Sequence, residues 1–506
     1  MKAPVDIDRE APRLASPAQP TPRVAILGAG ASGLCMAIAL KRAGIDSFTI
    51  FEKSDGVGGT WRDNTYPGAG CDVPSHLYSF SFAPNPDWSR AYSPQPEILA
   101  YFEDCARRFD LLPHCRFRTE LESAAFDEEA GLWRLRTTEG EEIAAEVLVS
   151  GVGQLSRPLY PKLPGLESFR GKTFHSARWD HSYDLAGKRV AVIGNGASAL
   201  QFIPKIAPVV GRLSVFQRSN NWVVPRRDRA YSEREKRWFR RSKWLRLLHR
   251  GLIYVVLENN FNAFRPGTLM ARVMERSARR HLAAQVPDPA MREKLTPDYP
   301  IGCKRILIGD DYYPALVRDN VEVVTEGIDR VTADAIVTKD GRVHPVDAIV
   351  YGTGFVTTSF LAPMHVTGRE GLTLEEVWKD GAEAYLGVAV SGFPNFFLLY
   401  GPNTNLGHNS IIFMIECQVR YVMACLEAMR AGGIAWMDVK PAEMVRFNRE
   451  LRRDLAKSVW ATGCTNWYKT ESGKITNNWS GFTLRYWWRT RRPRLDAFET
   501  ATAGTA

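Results

Sequence analysis

Histidine is scarce in this chain, nine in 506 residues, and its eight cysteines include no CxxC or CxxxxC pair. That excludes the common zinc sites and the paired cysteines of disulfide reductases, so a reduced, cytoplasmic protein with no metal site is expected. Uninterrupted apolar runs are missing too. The most suggestive stretch, Val24 to Leu40, is broken by glycines and follows a proline-rich leader, which argues against a signal peptide and a membrane span. Acidic residues are in deficit, 56 against 66 basic, for a net charge of +10. A charge of that sign suits nucleic acid or an anionic membrane. No nucleic-acid motif accompanies it, so no nucleic-acid partner is expected, and part of the charge is assigned to phosphorylated ligands. At 45% hydrophobic and 24% charged, the chain can bury more than one core.

What is present is one nucleotide-binding signature written twice. Arg23-Val-Ala-Ile-Leu-Gly28-Ala-Gly30-Ala31-Ser32-Gly33-Leu34 returns as Arg189-Val-Ala-Val-Ile-Gly194-Asn195-Gly196-Ala197-Ser198-Ala199-Leu200. In each copy a short apolar run reads as a buried parallel strand. The first glycine permits a tight turn, the second admits backbone N–H groups to a pyrophosphate, and the next helix points its positive end at that phosphate. Gly28, Gly30, Ala31, Ser32 and Gly33 are therefore candidates for one dinucleotide site, and Gly194, Asn195, Gly196, Ala197 and Ser198 for a second. The copies differ where the second strand ends. Phe51-Glu52-Lys53 offers an acid that suits a free ribose hydroxyl and repels a 2′-phosphate, whereas Phe216-Gln217-Arg218-Ser219 offers a cation that can grip one. FAD is expected in the first site and NADP(H) in the second, a pair that implies electron transfer.

The repeats set the organisation. The fold class is α/β, with two Rossmann-like dinucleotide-binding domains (three-layer ββα/βα sandwiches), the NADP domain inserted in the FAD domain, and a helical insertion. The expected divisions are a disordered leader over 1–22, the first part of the FAD domain over 23–156, and the NADP domain over 157–344 with its helical insertion at about 226–295. The rest of the FAD domain follows over 345–498, and a flexible tail over 499–506. The apolar run before Gly352-Thr-Gly354 is read as the return to the first domain. Within the insertion, Arg234 to Arg250 interleaves basic residues with Trp238 and Trp244. The preferred reading packs its apolar stripe on the body and solvates its cations, so peripheral membrane contact is not expected. An anionic membrane surface is the alternative.

Two further stretches carry a family resemblance. Phe169-Arg-Gly171-Lys-Thr-Phe-His175-Ser-Ala-Arg-Trp179-Asp180 fits F-x-G-x(3)-H-x(3)-W-[PD], and Gly59-Thr60-Trp61-Arg-Asp-Asn-Thr-Tyr66-Pro-Gly68-Ala-Gly-Cys-Asp72 fits G-x-W-x(4)-[FY]-P-G-x(3)-D. Together they resemble the fingerprints of type I Baeyer-Villiger monooxygenases, class B flavoproteins of the flavin-containing monooxygenase superfamily. The similarity spans roughly residues 23 to 490. It implies a hinge role for Phe169, Gly171, His175, Trp179 and Asp180, and a flavin-binding loop at Gly58, Gly59, Thr60 and Trp61 with Tyr78 close to the cofactor. It also implies that Arg305, in Gly302-Cys-Lys304-Arg305, lies beside the flavin, and that Asp72 orients it and helps hold the nicotinamide. Lys304 and Ser219 would join Arg218 at the 2′-phosphate. Trp467 resembles a mobile-loop tryptophan that contacts cofactor and substrate, and His408 and Asn409 would line the site. The chain departs from many members at Tyr351-Gly-Thr-Gly-Phe355, where they read Ala-Thr-Gly followed by aspartate.

The activity so implied is an NADPH- and O2-dependent FAD monooxygenase that converts small-molecule ketones to esters or lactones through a C4a-peroxyflavin. A guanidinium suits such a site because it stabilises anionic intermediates without surrendering a proton. The alternative within the superfamily is S- or N-oxygenation of a sulfide or amine by the protonated intermediate. A non-oxygenating FAD/NADPH reductase is the alternative of another class, disfavoured by the missing cysteine pair.

Overall fold

The computed structural model describes residues 21–502 apart from residue 465. Most of the expected leader and the end of the expected tail lie outside the described residues.

Strand β1 (Val24–Leu27), helix α1 (Ala31–Arg42) and strand β2 (Phe48–Phe51) form the first glycine-turn unit. All four residues of β1 are buried, as a strand covered on both faces requires. The parallel sheet runs in the order Phe396–Leu398, Val147–Ser150, β1, β2, Cys115–Arg116. Helix Ile411–Gly432 packs on α1. A second sheet of four strands, His365–Thr367, Leu121–Asp127, Leu132–Thr137 and Glu142–Ala145, adds the further layer. Trp133 joins the two sheets, donating its indole N–H to Pro394 O at 2.8 Å and meeting the Phe396 ring at 5.7 Å.

The second unit repeats the plan with β3 (Arg189–Ile193), α2 (Ala197–Ile206) and β4 (Arg212–Phe216). Its parallel sheet runs Val321–Val324, β4, β3, β5 (Ala348–Tyr351), Lys172–His175. The position of β5 corrects the division drawn at residue 344. The run expected to return to the first domain pairs instead with β3 on one side and Lys172–His175 on the other. A run of four buried residues fits either sheet, and only pairing decides. Two chain segments cross between the units side by side, held by Leu159 N to Gly354 O and Val356 N to Arg157 O, both 2.9 Å.

The helical insertion appears as α3 (Glu233–Arg241), α4 (Lys243–Asn259), α5 (Leu269–Gln285) and a last helix, Pro289–Leu295. Side-chain caps start each of them, from Ser232, Ser242, Thr268 and Asp288. The expected packing of its apolar stripe on the body holds for α4 only in part: Ile253, Tyr254 and Leu257 pack on the core beside Arg250 and Glu258, which bond to the body, but a second apolar side is left exposed. Two other expectations are corrected. Phe498–Thr502 is a strand paired antiparallel with Ile434–Val439, so the tail does not loosen at 499. Cys303 and Cys464 are disulfide-bonded across a separation of 161 residues, a distance at which sequence spacing carries no signal. Among the described residues no helix is long and apolar enough to cross a membrane.

Candidate active site

The first glycine turn is built for close backbone approach. Gly28 has φ of +90°, and a Cβ on Gly33 would run into Gly28 O, so α1 sits on the turn at a separation only glycine permits. A Cβ on Gly59, φ +51°, would lie 3.0 Å from Gly30 Cα, so the groove between these two loops exists because both lack side chains. No side chain caps α1, which leaves its first N–H groups for an anion. Glu52 is buried, and its carboxylate accepts from Ala29 N at 2.7 Å and Ser54 N at 2.8 Å. Each carboxylate oxygen keeps a further lone pair, enough for a ribose hydroxyl and hostile to a second anion. These residues fit FAD. Gly58, with φ of +125°, opens the turn into the short helix Thr60–Asp63, where Trp61 donates its indole N–H to Tyr78 OH at 3.1 Å.

The second turn differs in its side chains. Gly194 has φ of +99°, and a Cβ there would come within 2.5 Å of Gly352 O. Helix α2, starting at Ala197 and Ser198, also lacks a side-chain cap after Gly196. Asn195 Nδ2 donates to Gln217 Oε1 at 3.0 Å and Ser219 O at 2.8 Å, clamping the loop to the end of β4. Lys304 Nζ donates to Ser219 Oγ at 2.6 Å. Burial lowers the Lys304 pKa from its ordinary value; Asp298 opposes that shift and the nearby charge of Arg218 adds to it. Arg218 is exposed and makes no hydrogen bond or ion pair among the described residues. Two cations and a hydroxyl so gathered suit the 2′-phosphate of NADP(H).

Consecutive side chains serve different partners here. Whereas Lys304 turns to Ser219, Arg305 Nη2 donates to Asp72 Oδ2 at 3.3 Å. Desolvation opposes the Arg305 charge, but the Asp72 carboxylate, with Tyr468 and Tyr400 nearby, more than offsets it and raises the pKa. Arg305 is thus a fixed cation with a third of its side chain still accessible, 33% against 16% for Asp72.

Sequence reasoning missed the residue that couples this pair to the second unit. Gln201, on α2, donates through Nε2 to Asp72 Oδ1 at 3.4 Å and Gly70 O at 3.0 Å, and accepts through Oε1 from Tyr66 OH at 2.9 Å. Arg226 adds a bond from Nη2 to Cys71 O at 3.0 Å. A signal did exist for Gln201: it is the lone polar residue in Ala199-Leu-Gln-Phe-Ile203.

The two fingerprints form one interface. Trp179 from the first and Tyr66 from the second pack on the same Phe202 of α2, with ring centroids 5.3 and 6.1 Å away. Thr65 hydrogen-bonds His181 at 2.8 Å, and Arg178 lies 3.7 Å from Asp63. His175 is fully buried; its Nδ1 accepts from Ala177 N at 3.1 Å while Nε2 faces Gly354 O at 3.0 Å, which defines a neutral ring. Burial lowers its pKa to about 4, and the Gly354 carbonyl offsets part of that. Phe169, half-buried, packs against the core beside β5, and a Cβ on Gly171 would crowd Asp347 O and the Phe169 ring. Asp180 closes the motif with Lys172 at 2.6 Å.

Trp467, His408 and Asn409 are also expected at the site. The Trp467 ring lies 4.5 Å from that of Tyr468, tilted by 42°, and its carbonyl accepts from Thr357 Oγ1 at 3.1 Å. The Cys303–Cys464 bond and the hydrogen bond from Asn466 Nδ2 to Cys303 O tie this loop to the segment carrying Arg305. His408 and Asn409 are buried against the helical insertion, Asn409 donating to Glu258 Oε2 at 2.7 Å and His408 packing on Phe261.

Comparison with known proteins agrees with this geometry. The family model described as flavin-binding monooxygenase-like matches residues 21–366. A Baeyer-Villiger monooxygenase of Pseudomonas aeruginosa is 48% identical over 97% of this chain and 95% of its own length. One of Streptomyces coelicolor is 47% identical over 94% of this chain and 92% of its own. Among solved structures, cyclohexanone monooxygenase from Rhodococcus bound to NADP+ superposes with a TM-score of 0.85 at 29% identity, covering 96% of this chain and all of that one. An oxidized steroid monooxygenase bound to NADP does so at 0.83 and 32%, with coverage of 96% and 100%. The chain belongs to the flavin-binding monooxygenase-like family, and within it to the Baeyer-Villiger group.

Proposed function

We propose that this enzyme uses NADPH and O2 to insert one oxygen atom beside the carbonyl of a small-molecule ketone, giving an ester or lactone, with the second atom leaving as water. The observation that carries the reading is Arg305, a permanent cation paired with Asp72 where the two dinucleotide units meet. FAD, once reduced by NADPH, supplies the activation of oxygen. What the protein adds is placement and charge. Glu52 and the Gly28–Gly33 turn hold one nucleotide, and Arg218, Ser219 and Lys304 hold the phosphate of the other. Arg305 stabilises negative charge that develops between them without giving up a proton. Asp72 keeps the guanidinium from swinging away, and Gln201 keeps Asp72 in register with the NADP side. His175, neutral at physiological pH, serves the seam rather than proton transfer.

The reading is tested by product analysis with NADPH and ¹⁸O₂, offering linear, cyclic and aryl ketones beside an aryl methyl sulfide. An ester or lactone with one labelled oxygen is the expected product. Labelled sulfoxide with no ester would move the protein to heteroatom oxygenation, and substrate-independent oxygen consumption would reject both.

A further inference from the structure

Helix α4 is apolar on two sides. The side it turns to the body packs Ile253, Tyr254 and Leu257 on the core, and carries hydrogen-bonding groups on Arg250, Tyr254 and Glu258 at four-residue spacing. Arg250 Nη1 donates to His76 O at 2.6 Å, Tyr254 OH shares a 2.7 Å hydrogen bond with Thr483 Oγ1, and Glu258 accepts from Asn409 and Thr483 at 2.7 and 2.8 Å. The opposite side carries Trp244, Leu248, Leu252, Val255 and Val256, which are 77, 60, 58, 56 and 63% exposed. A helix on the surface of a water-soluble body normally turns charged and polar residues outward. A continuous exposed apolar face marks a surface that something else covers.

The charges next to that helix select the occupant. Arg237 and Arg241, on α3, and Lys243, at the start of α4, are exposed and form no ion pair among the described residues. The acids on the same helix are already engaged, Glu233 by Lys236 and Glu235 by Arg229. A second copy of this chain seated face to face would set these cations against their own kind. An anionic lipid surface fits both features. Its hydrocarbon accepts the leucine and valine side chains, its headgroup level accepts Trp244, and its phosphates accept the cations. We propose that α4, together with the end of α3, docks this enzyme on an anionic membrane surface.

The test is co-sedimentation of the FAD-loaded full chain with vesicles of phosphatidylcholine alone or mixed with phosphatidylglycerol, at low and high salt. Binding is expected to the mixed vesicles at low salt only. It should weaken at least about tenfold in Leu248→Asp/Leu252→Asp and in Arg237→Glu/Arg241→Glu, because apolar insertion and charge both contribute. Both variants alter exposed side chains and should keep the flavin spectrum and ketone turnover of the parent in solution. Failure to bind mixed vesicles overturns the proposal. So does binding that Leu248→Asp/Leu252→Asp leaves intact, which would be surface charge alone. Light scattering supplies the third check: a dimer that the same aspartates dissociate, without vesicle binding, assigns the face to a second copy.

Discussion

The two glycine turns share one backbone and part company at the end of the following strand. In the first, Glu52 is buried and already holds the turn through Ala29 N. In the second, the corresponding end is open and cationic, and the bracing passes to an amide, Asn195, whose Nδ2 grips Gln217 and Ser219. One unit is closed around an acid, and the other is open and cationic. In the reading proposed above, the glycines make each dinucleotide site and the residue after β2 or β4 selects the nucleotide.

Charge reversal at the closed end should break the comparison most severely. Glu52→Lys places an unpaired cation where an acid accepts two backbone N–H groups, so FAD content after purification should fall at least about a hundredfold, read from flavin absorbance per protein. At the open end, Arg218→Ala should raise KM for NADPH by about ten- to a hundredfold, since charge-assisted bonds to phosphate are lost, and leave kcat and NADH kinetics unchanged. If NADH kinetics fall equally, the arginine does not read the 2′-phosphate. Gln201→Leu sharpens the link between the units. It should reduce kcat with NADPH by roughly tenfold and spare FAD content, because Asp72 loses its tie to α2.

The effect expected to leave activity near neutrality untouched concerns the seam. Folded His175 takes up its proton only near pH 4, whereas an unfolded histidine does so near 6.5. Between those values the unfolded chain binds more protons, so stability present above pH 6.5 is lost as pH falls toward 4, by roughly 3 kcal/mol at most. His175→Gln should flatten that acid limb in denaturant titrations without adding a limb to ester formation near neutrality.

Local signals made much of this legible. The turns at Gly28 and Gly194, their flanking strands and the acid or cation after each are short-range features, and the expected elements stand where the spacing put them. Lys304 and Arg305 were legible only through their resemblance to a family segment. Long-range pairings left no trace: β5 joins the second sheet, Cys303 meets Cys464, and Gln201 reaches Asp72 across 129 residues. Helix α4 was half legible: the expected inner apolar stripe is supplied by Ile253, Tyr254 and Leu257, but the second apolar side left exposed at Trp244, Leu248 and Leu252 was not foreseen.

The claim that Arg305 is where the two units act together is tested most directly in Arg305→Ala, by following anaerobic flavin reduction with NADPH and, separately, ester formation in air. Flavin reduction largely retained with ester formation abolished is the expected result. An ester yield equal to that of the parent enzyme would contradict it.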